Sequence, residues 1–159
     1  MMIEMKQSEK IKELTNIRII DAPRALVFKA WTDPRQLALW WGPNEFTNPV
    51  VELDVRPGGT IRVDMRGPDG TIYPMGGVFK EIVEPERLVF TSTAFTDMND
   101  EPMLEDMNIV TFADRGGRTE LTWHEVVTKA TPGAAGALEG MEEGTRQSLD
   151  RLVKLLEKD

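Results

Sequence analysis

The stretch Gly133–Asp159 constrains the rest of the chain more than any other. At 3.6 residues per turn, Leu138, Met141, Thr145, Leu149, Leu152 and Leu156 fall on one stripe at three- and four-residue spacing. Glu139, Glu143, Arg146, Asp150, Lys154 and Glu157 fall opposite. A long amphipathic helix of this kind must lay its apolar stripe against another layer. The residues before it read as a series of strands, so the expected arrangement is one helix gripped by a sheet. Thr145 places a hydroxyl midway along that stripe. Gly136, Gly140 and Gly144 recur every four residues, the first two on the polar side of the wheel, where they do not make room for a ligand. Each glycine weakens the helix by about 1 kcal/mol relative to alanine, so its first turns should be the looser end. The second half gains support from Arg146–Asp150 and Asp150–Lys154 at i,i+4 spacing.

Upstream, Leu14–Ile20 is rich in β-branched residues and predicts a first strand. Asp21-Ala22-Pro23 then predicts a helix to about Thr32, with Asp21 in the N-cap region and Pro23 as its opening residue. Asp33-Pro34 restarts a second short helix carrying Leu37, Trp40 and Trp41, stopped by Gly42-Pro43. From Phe46 onward the period changes to two. Val51, Leu53 and Val55, and after Pro57-Gly58-Gly59 Ile61, Val63 and Met65, alternate with charged residues as half-buried antiparallel strands do. Thr71–Val83 continues the sheet, broken at Pro74 and at Gly76-Gly77, where a bulge or an edge is expected. Arg87–Phe95, Leu104–Ala113 and Thr119–Val127 complete it, and Thr128–Gly133 reads as the loop into the last helix. Residues 1–13 read as an N-terminal tail and 14–159 as a single domain, which suits a chain of 159 residues.

Composition removes several function classes. Twenty-seven acidic residues against 19 basic give a formal charge of −8, which repels phosphate backbones and anionic membrane surfaces, so neither nucleic acid nor membrane is an expected partner. No apolar run approaches the ~18–20 residues of a membrane span and no signal-peptide core precedes the first strand, so a cytoplasmic location is expected. With no cysteine and a single histidine, disulfides, thiolate catalysis and Cys/His zinc sites are out of reach. No metal or cofactor is expected.

Several segments together resemble a known superfamily. They are Asp21-Ala22-Pro23, Trp40-Trp41-Gly42-Pro43, Pro57-Gly58-Gly59, Gly77-Val78-Phe79-Lys80-Glu81-Ile82, Pro85-Glu86-Arg87-Leu88-Val89-Phe90-Thr91 and Leu149-Asp150-Arg151-Leu152. Over residues 14–157 the chain is similar to START-like (SRPBCC) proteins, and within them to bacterial proteins related to the activator of the heat-shock-protein-90 ATPase. The resemblance implies an α+β helix-grip fold (START/Bet v 1-like). In it a curved antiparallel β-sheet wraps around a long C-terminal α-helix, two short helices follow the first strand, and a cavity lies between sheet and helix. That family commonly carries tryptophan after the glycine in the last helix, where this chain has Gly144-Thr145. A larger or more polar cavity is expected there.

The residues expected to meet a ligand follow from alternation and from the helical stripe. Trp40 and Trp41 offer an aromatic wall at the cavity mouth, or else anchor the short helices to the sheet. Tyr73, Met75 and Phe79 share one strand face, and Trp123 shares another with Leu121. Nine methionines favour an adaptable apolar surface, with Met65, Met75, Met107 and Met141 as candidate lining. Leu138, Met141 and Thr145 form the expected ceiling. Glu125 has the parity of Leu121 and Trp123, which points its carboxylate either into the cavity, where desolvation would raise its pKa and suit it to catalysis or to a cationic group, or out at a strand end. His124 has the opposite parity and reads as a surface residue. The acidic stretch Asp97–Asp106 reads as a solvated loop, because it lacks the pattern of a calcium loop.

The expected function is binding of a small apolar or amphipathic ligand between sheet and helix. The alternatives are an enzyme of lyase or cyclase type using a cavity carboxylate such as Glu125, and a protein-interaction domain resembling the chaperone-ATPase activator, which ranks below ligand binding. Homodimerisation is left open, as is the identity of the ligand.

Overall fold

The computed structural model of the chain describes residues 12–96 and 102–157. Among these residues seven strands form one fully antiparallel sheet in the order β1-β7-β6-β5-β4-β3-β2. They are β1 (Lys12–Ile20), β2 (Thr47–Leu53), β3 (Thr60–Arg66), β4 (Ile72–Val83), β5 (Arg87–Thr96), β6 (Pro102–Arg115) and β7 (Arg118–Ala130). Helices α1 (Arg24–Thr32) and α2 (Pro34–Trp40) follow β1, and α3 (Ala135–Leu156) follows β7 after a single 3-10 turn, Pro132–Ala134. No described helix is long and apolar enough to cross a membrane.

Period-two patterning decides which face meets the helix. In β7, Thr119, Leu121, Trp123, Glu125 and Val127 are buried and the residues between them are not. In β6 the inward set is Leu104, Asp106, Asn108, Val110 and Phe112. Opposite them α3 buries Thr145, Ser148, Leu149 and Leu152. Leu149, Leu152, Val110, Phe112 and Leu121 join α1 and α2 in one core, which also gathers all four tryptophans around Trp31. Edge-to-face geometry dominates that cluster, with Trp31 4.8 Å from Trp40 and 4.9 Å from Trp123 between ring centroids.

The local chemistry differs from expectation in several places. The N-cap of α1 is Pro23, whose carbonyl accepts from the amides of Leu26 and Val27. Asp21 is not the cap; its own amide donates to Glu157 at 2.9 Å, tying the strand end to the end of α3. Asp33 does cap α2, accepting from the Arg35 amide at 2.9 Å, with Pro34 at the first helical position. Strand β4 runs unbroken through Pro74 and Gly76-Gly77, and its register shift falls between Phe79 and Glu81 instead. Gly77 answers to close approach: a Cβ there would lie 1.9 Å from the Thr91 carbonyl oxygen of β5. Val55 lies beyond the end of β2 and is exposed, because the chain has already left the sheet. On α3, Arg146 pairs with Glu143 and Asp150 with Arg18 of β1 at 3.3 Å, where i,i+4 pairs within the helix were expected. Strand β1 begins two residues earlier than expected, and β7 runs on to Ala130 through part of the expected loop.

Candidate functional site

Between the N-terminal half of α3 and the strands β3 to β7 lies a cavity of about 440 Å³. Two features keep it open. The core fills only the end of the sheet covered by α1, α2 and the last turns of α3. Towards the other end, α3 presents Ala137, Gly140, Met141, Gly144 and Thr145, which are mostly too small to reach the sheet. Walls come from Met65 of β3, Tyr73, Pro74 and Met75 of β4, Ser92 and Ala94 of β5, Leu104 of β6 and Trp123 of β7. The segment after α2 closes one side with Trp41, Gly42, Pro43 and Phe46.

That segment is held to α3 by side chains. The Gly42 amide donates to Ser148 Oγ at 3.0 Å and the Asn44 amide to Gln147 Oε1 at 2.9 Å. Arg151 reaches across and donates to the carbonyl oxygens of Leu39, Trp41, Gly42, Pro43 and Phe46 at 2.9–3.3 Å. A planar guanidinium with five N–H groups is suited to gathering the orphan carbonyls of a helix end and the turn after it. Gly42 has φ +97°, and a Cβ there would press against the Met65 methyl at 3.1 Å, so both backbone conformation and space call for glycine.

A polar network occupies the sheet side of this apolar chamber. Trp123 Nε1, a donor only, gives its proton to Asn108 Oδ1 at 2.9 Å and so fixes the orientation of that amide. Asn108 Nδ2 then faces Asp106 Oδ1 and Ser92 Oγ, each at 3.2 Å. The Ser92 hydroxyl donates to Asp106 Oδ1. Farther along β7, Glu125 Oε1 accepts from Thr145 Oγ1 of α3 at 2.6 Å. Among the described residues no donor reaches its second oxygen. Burial raises Glu125 from its ordinary 4.5 to about 7, against the opposing hydrogen bond from Thr145, with the Asp106 carboxylate adding to the rise. Burial likewise raises Asp106 to about 6, opposed by the hydrogen bonds from Ser92 and Asn108. Two carboxyl groups thus share one chamber, each poised near neutrality. Groups of this kind can exchange a proton or accept a cationic partner at physiological pH.

The fold agrees with what comparison with known proteins finds. The profile of the family described as "Activator of Hsp90 ATPase homolog 1-like protein" matches residues 21–157. The chain belongs to this family. Among solved structures, it is similar to protein CV1439 from Chromobacterium violaceum, with 28% identity over 92% of this chain and 98% of that one, at a TM-score of 0.78. Protein Ms6760 from Mycobacterium smegmatis is 30% identical over 92% of this chain and 91% of that one, at 0.75. A protein from Arthrobacter aurescens superposes at 0.80 with 27% identity over 92% and 87% of the two chains. No protein of curated function matches the chain. The family carries the START-like helix-grip fold, which generally binds hydrophobic ligands.

Within this helix-grip chamber the structure brings together Trp41, Met65, Tyr73, Met75, Trp123, Met141 and Thr145, with Glu125 pointing inward among them. Four expected lining residues lie elsewhere. Trp40 is fully buried beneath the short helices, donating from Nε1 to the Ala30 carbonyl at 3.0 Å, and so takes the anchoring role while Trp41 takes the wall. Phe79 packs in the core at 6.3 Å from Phe90, beyond the chamber floor. Met107 has the parity opposite to Asp106 and Asn108 and therefore sits on the outer face of β6. Leu138 turns from the chamber to a second apolar cluster with Leu104, Val127 and Ala134. Gly140, assigned to the polar side of the wheel, lines the chamber instead. Asp106 is not part of a solvated loop; it is buried in β6, whereas residues 97–101 of that acidic stretch lie outside the described residues. His124 faces away from the chamber, 2.8 Å from Thr15 Oγ1 and 2.7 Å from Glu13. The polar members Ser92, Asp106, Asn108 and Ser148 escaped the sequence reading. The signal for two of them was available: Leu104, Asp106, Asn108, Val110 and Phe112 form one unbroken alternation.

Proposed function

We propose that this protein binds a small amphipathic molecule in the chamber between α3 and the sheet. One observation carries the reading. A chamber of about 440 Å³ falls within the range of small-molecule sites, and it joins mostly apolar walls to a few convergent polar groups. The apolar walls supply affinity through burial, and the network of Ser92, Asp106, Asn108, Glu125 and Thr145 supplies orientation. Trp41 and Trp123 line the chamber, so occupancy should change their emission. The test is titration with the uncharged fluorescent apolar probe N-phenylnaphthylamine, read by tryptophan quenching and by native mass spectrometry of the purified protein. Saturable binding of one molecule per chain, lost in Thr145→Trp, supports the proposal. Absence of saturable binding by this probe, with no retained ligand, overturns it.

A second reading is an enzyme of lyase or cyclase type with Glu125 as general base. What favours it is the inward carboxyl with a pKa raised to about 7, which suits proton transfer near neutral pH. A bound compound recovered chemically altered after incubation with the wild type, and unaltered after incubation with Glu125→Gln, would establish it. Identical recovery from both proteins would remove it.

A further inference from the structure

The charge inside the chamber narrows the class of ligand. Its lining contains two carboxyl groups, Asp106 and Glu125, and no lysine, arginine or histidine among the described residues. Glu125 is only 5% exposed and Asp106 only 7%, so neither carboxyl has bulk water to solvate it fully. Structural ion pairs are the usual company of buried carboxylates, and a buried charge without one is costly. Asp106 has internal donors in Ser92 and Asn108. Glu125, which lines the chamber, has one donor, Thr145, on one oxygen, and its other oxygen has no donor from any described residue. Trp41 and Trp123 both line the chamber with ring centroids 5.6 Å apart, and an aromatic ring attracts a cation held against its face. Elsewhere the lining is Met, Tyr, Leu, Pro and Ala, with room for an apolar body.

Resting on the reading of this chamber as a ligand site, we infer that the ligand is a cationic amphiphile. Its protonated or quaternary nitrogen sits between Glu125 Oε2 and the Asp106 carboxyl, and its apolar portion lies along Met65, Tyr73, Met75 and Met141. The cation supplies what the fold omits. It gives the free oxygen of Glu125 a partner, and it screens the repulsion between two carboxylates in one low-dielectric space. An anionic amphiphile such as a fatty acid would add a third negative charge to that space. A neutral one would leave Glu125 either unpaired or protonated. The formal charge of −8 on the whole chain also raises the local concentration of cations.

Three probes of one chain length separate the charge preference from the ligand-site reading: octylamine, 1-octanol and octanoate, each titrated at pH 7.5 and followed by calorimetry and tryptophan emission. The expected order is octylamine tighter than octanol by roughly tenfold or more, with octanoate weakest. In Glu125→Gln and in Asp106→Asn, both isosteric, the advantage of the amine, taken as the ratio of octylamine to octanol affinity within each variant, should fall to about threefold or less. Octylamine and octanol binding equally to the wild type overturns the cationic preference and leaves the ligand site standing. A retained tenfold preference in the Glu125→Gln, Asp106→Asn double variant also overturns it. Saturable binding by none of the three overturns the ligand-site reading along with it. The wild-type comparison decides the matter even if a variant fails to fold.

Discussion

Replacing Glu125 by glutamine should change the pH dependence of stability more than the stability itself. The side chain keeps its shape and its oxygen toward Thr145 Oγ1, so what disappears is the charge. In the folded protein Glu125 titrates near 7, and its ordinary value is 4.5. Because the folded value is raised, the folded state holds this proton more tightly than the unfolded chain does. The resulting stabilisation is complete below about 4.5 and is lost as pH rises through about 7. At about 1.4 kcal/mol per pH unit, the whole window corresponds to about 3 kcal/mol, most of which falls between pH 5 and pH 8.5. The wild type should lose that amount over the interval on account of Glu125, and the variant should not. Urea unfolding of both proteins at pH 5 and pH 8.5 gives the measurement. At pH 5 the two should agree within about 1 kcal/mol, since each has a neutral, hydrogen-bonding group at this position. At pH 8.5 Glu125→Gln should be the more stable by about 2–3 kcal/mol. A difference independent of pH, or a variant less stable at the higher pH, would refute the inward, desolvated carboxyl on which the cationic-ligand inference stands.

Further predictions concern the helix that roofs the chamber. Arg151→Met removes the guanidinium that gathers five carbonyls after α2, and should cost about 2–3 kcal/mol in denaturant unfolding. It should also speed amide exchange at Gly42 and Asn44, whose bonds to Ser148 and Gln147 depend on the same segment; unchanged exchange would show that the segment holds itself. Gly140→Ala meets no atom within 4 Å of its new Cβ, and should raise stability by about 0.5–1 kcal/mol through helix propensity alone. A loss of stability there would mean that α3 packs more closely than described. Thr145→Trp should abolish octanol binding while costing no more than about 3 kcal/mol of stability, because the ring enters space that is already open; binding at wild-type affinity would count against the chamber as the site.

The sheet, the two short helices and the gripped helix were legible because each rests on a periodicity that survives any tertiary context. Val51, Leu53, Ile61, Val63 and Met65 face inward as their alternation requires, and Leu149 and Leu152 are buried as the stripe requires. What the sequence concealed depends on where two elements meet. Trp40 and Trp41 are adjacent and chemically identical, and only the end of α2 at Trp40 decides that one is core and the other wall. Leu138 lies on the apolar stripe, yet the direction of its side chain is set by a cluster with Leu104 and Val127, which no local pattern announces. Asp106 belonged to two overlapping readings, the end of a solvated stretch with five carboxylates in ten residues and the third residue of a strand from Leu104, and its burial decides for the strand. Arg151 gives no local sign of its role, because its partners are backbone carbonyls more than a hundred residues away.

The division of labour along α3 explains why the polar groups lie where they do. Its C-terminal half buries Leu149 and Leu152 and, through Arg151, Gln147 and Ser148, fixes the segment Trp41–Phe46. That half makes the chamber rigid at one end. Its N-terminal half carries Gly140, Gly144 and Thr145 over the sheet and leaves the space unfilled. A bulky apolar residue at position 145 would fill the chamber and strip Glu125 of the hydroxyl that reaches it. Without Thr145 the Glu125 proton would be held still more tightly, since this hydrogen bond is what lowers its pKa. Thr145 therefore performs two tasks with one side chain: it is small enough to leave room for a ligand, and its hydroxyl keeps Glu125 within reach of ionisation near neutral pH. Any ligand pocket here needs the first task; the second is needed only by a site that selects a cation, and a purely apolar pocket has no use for it.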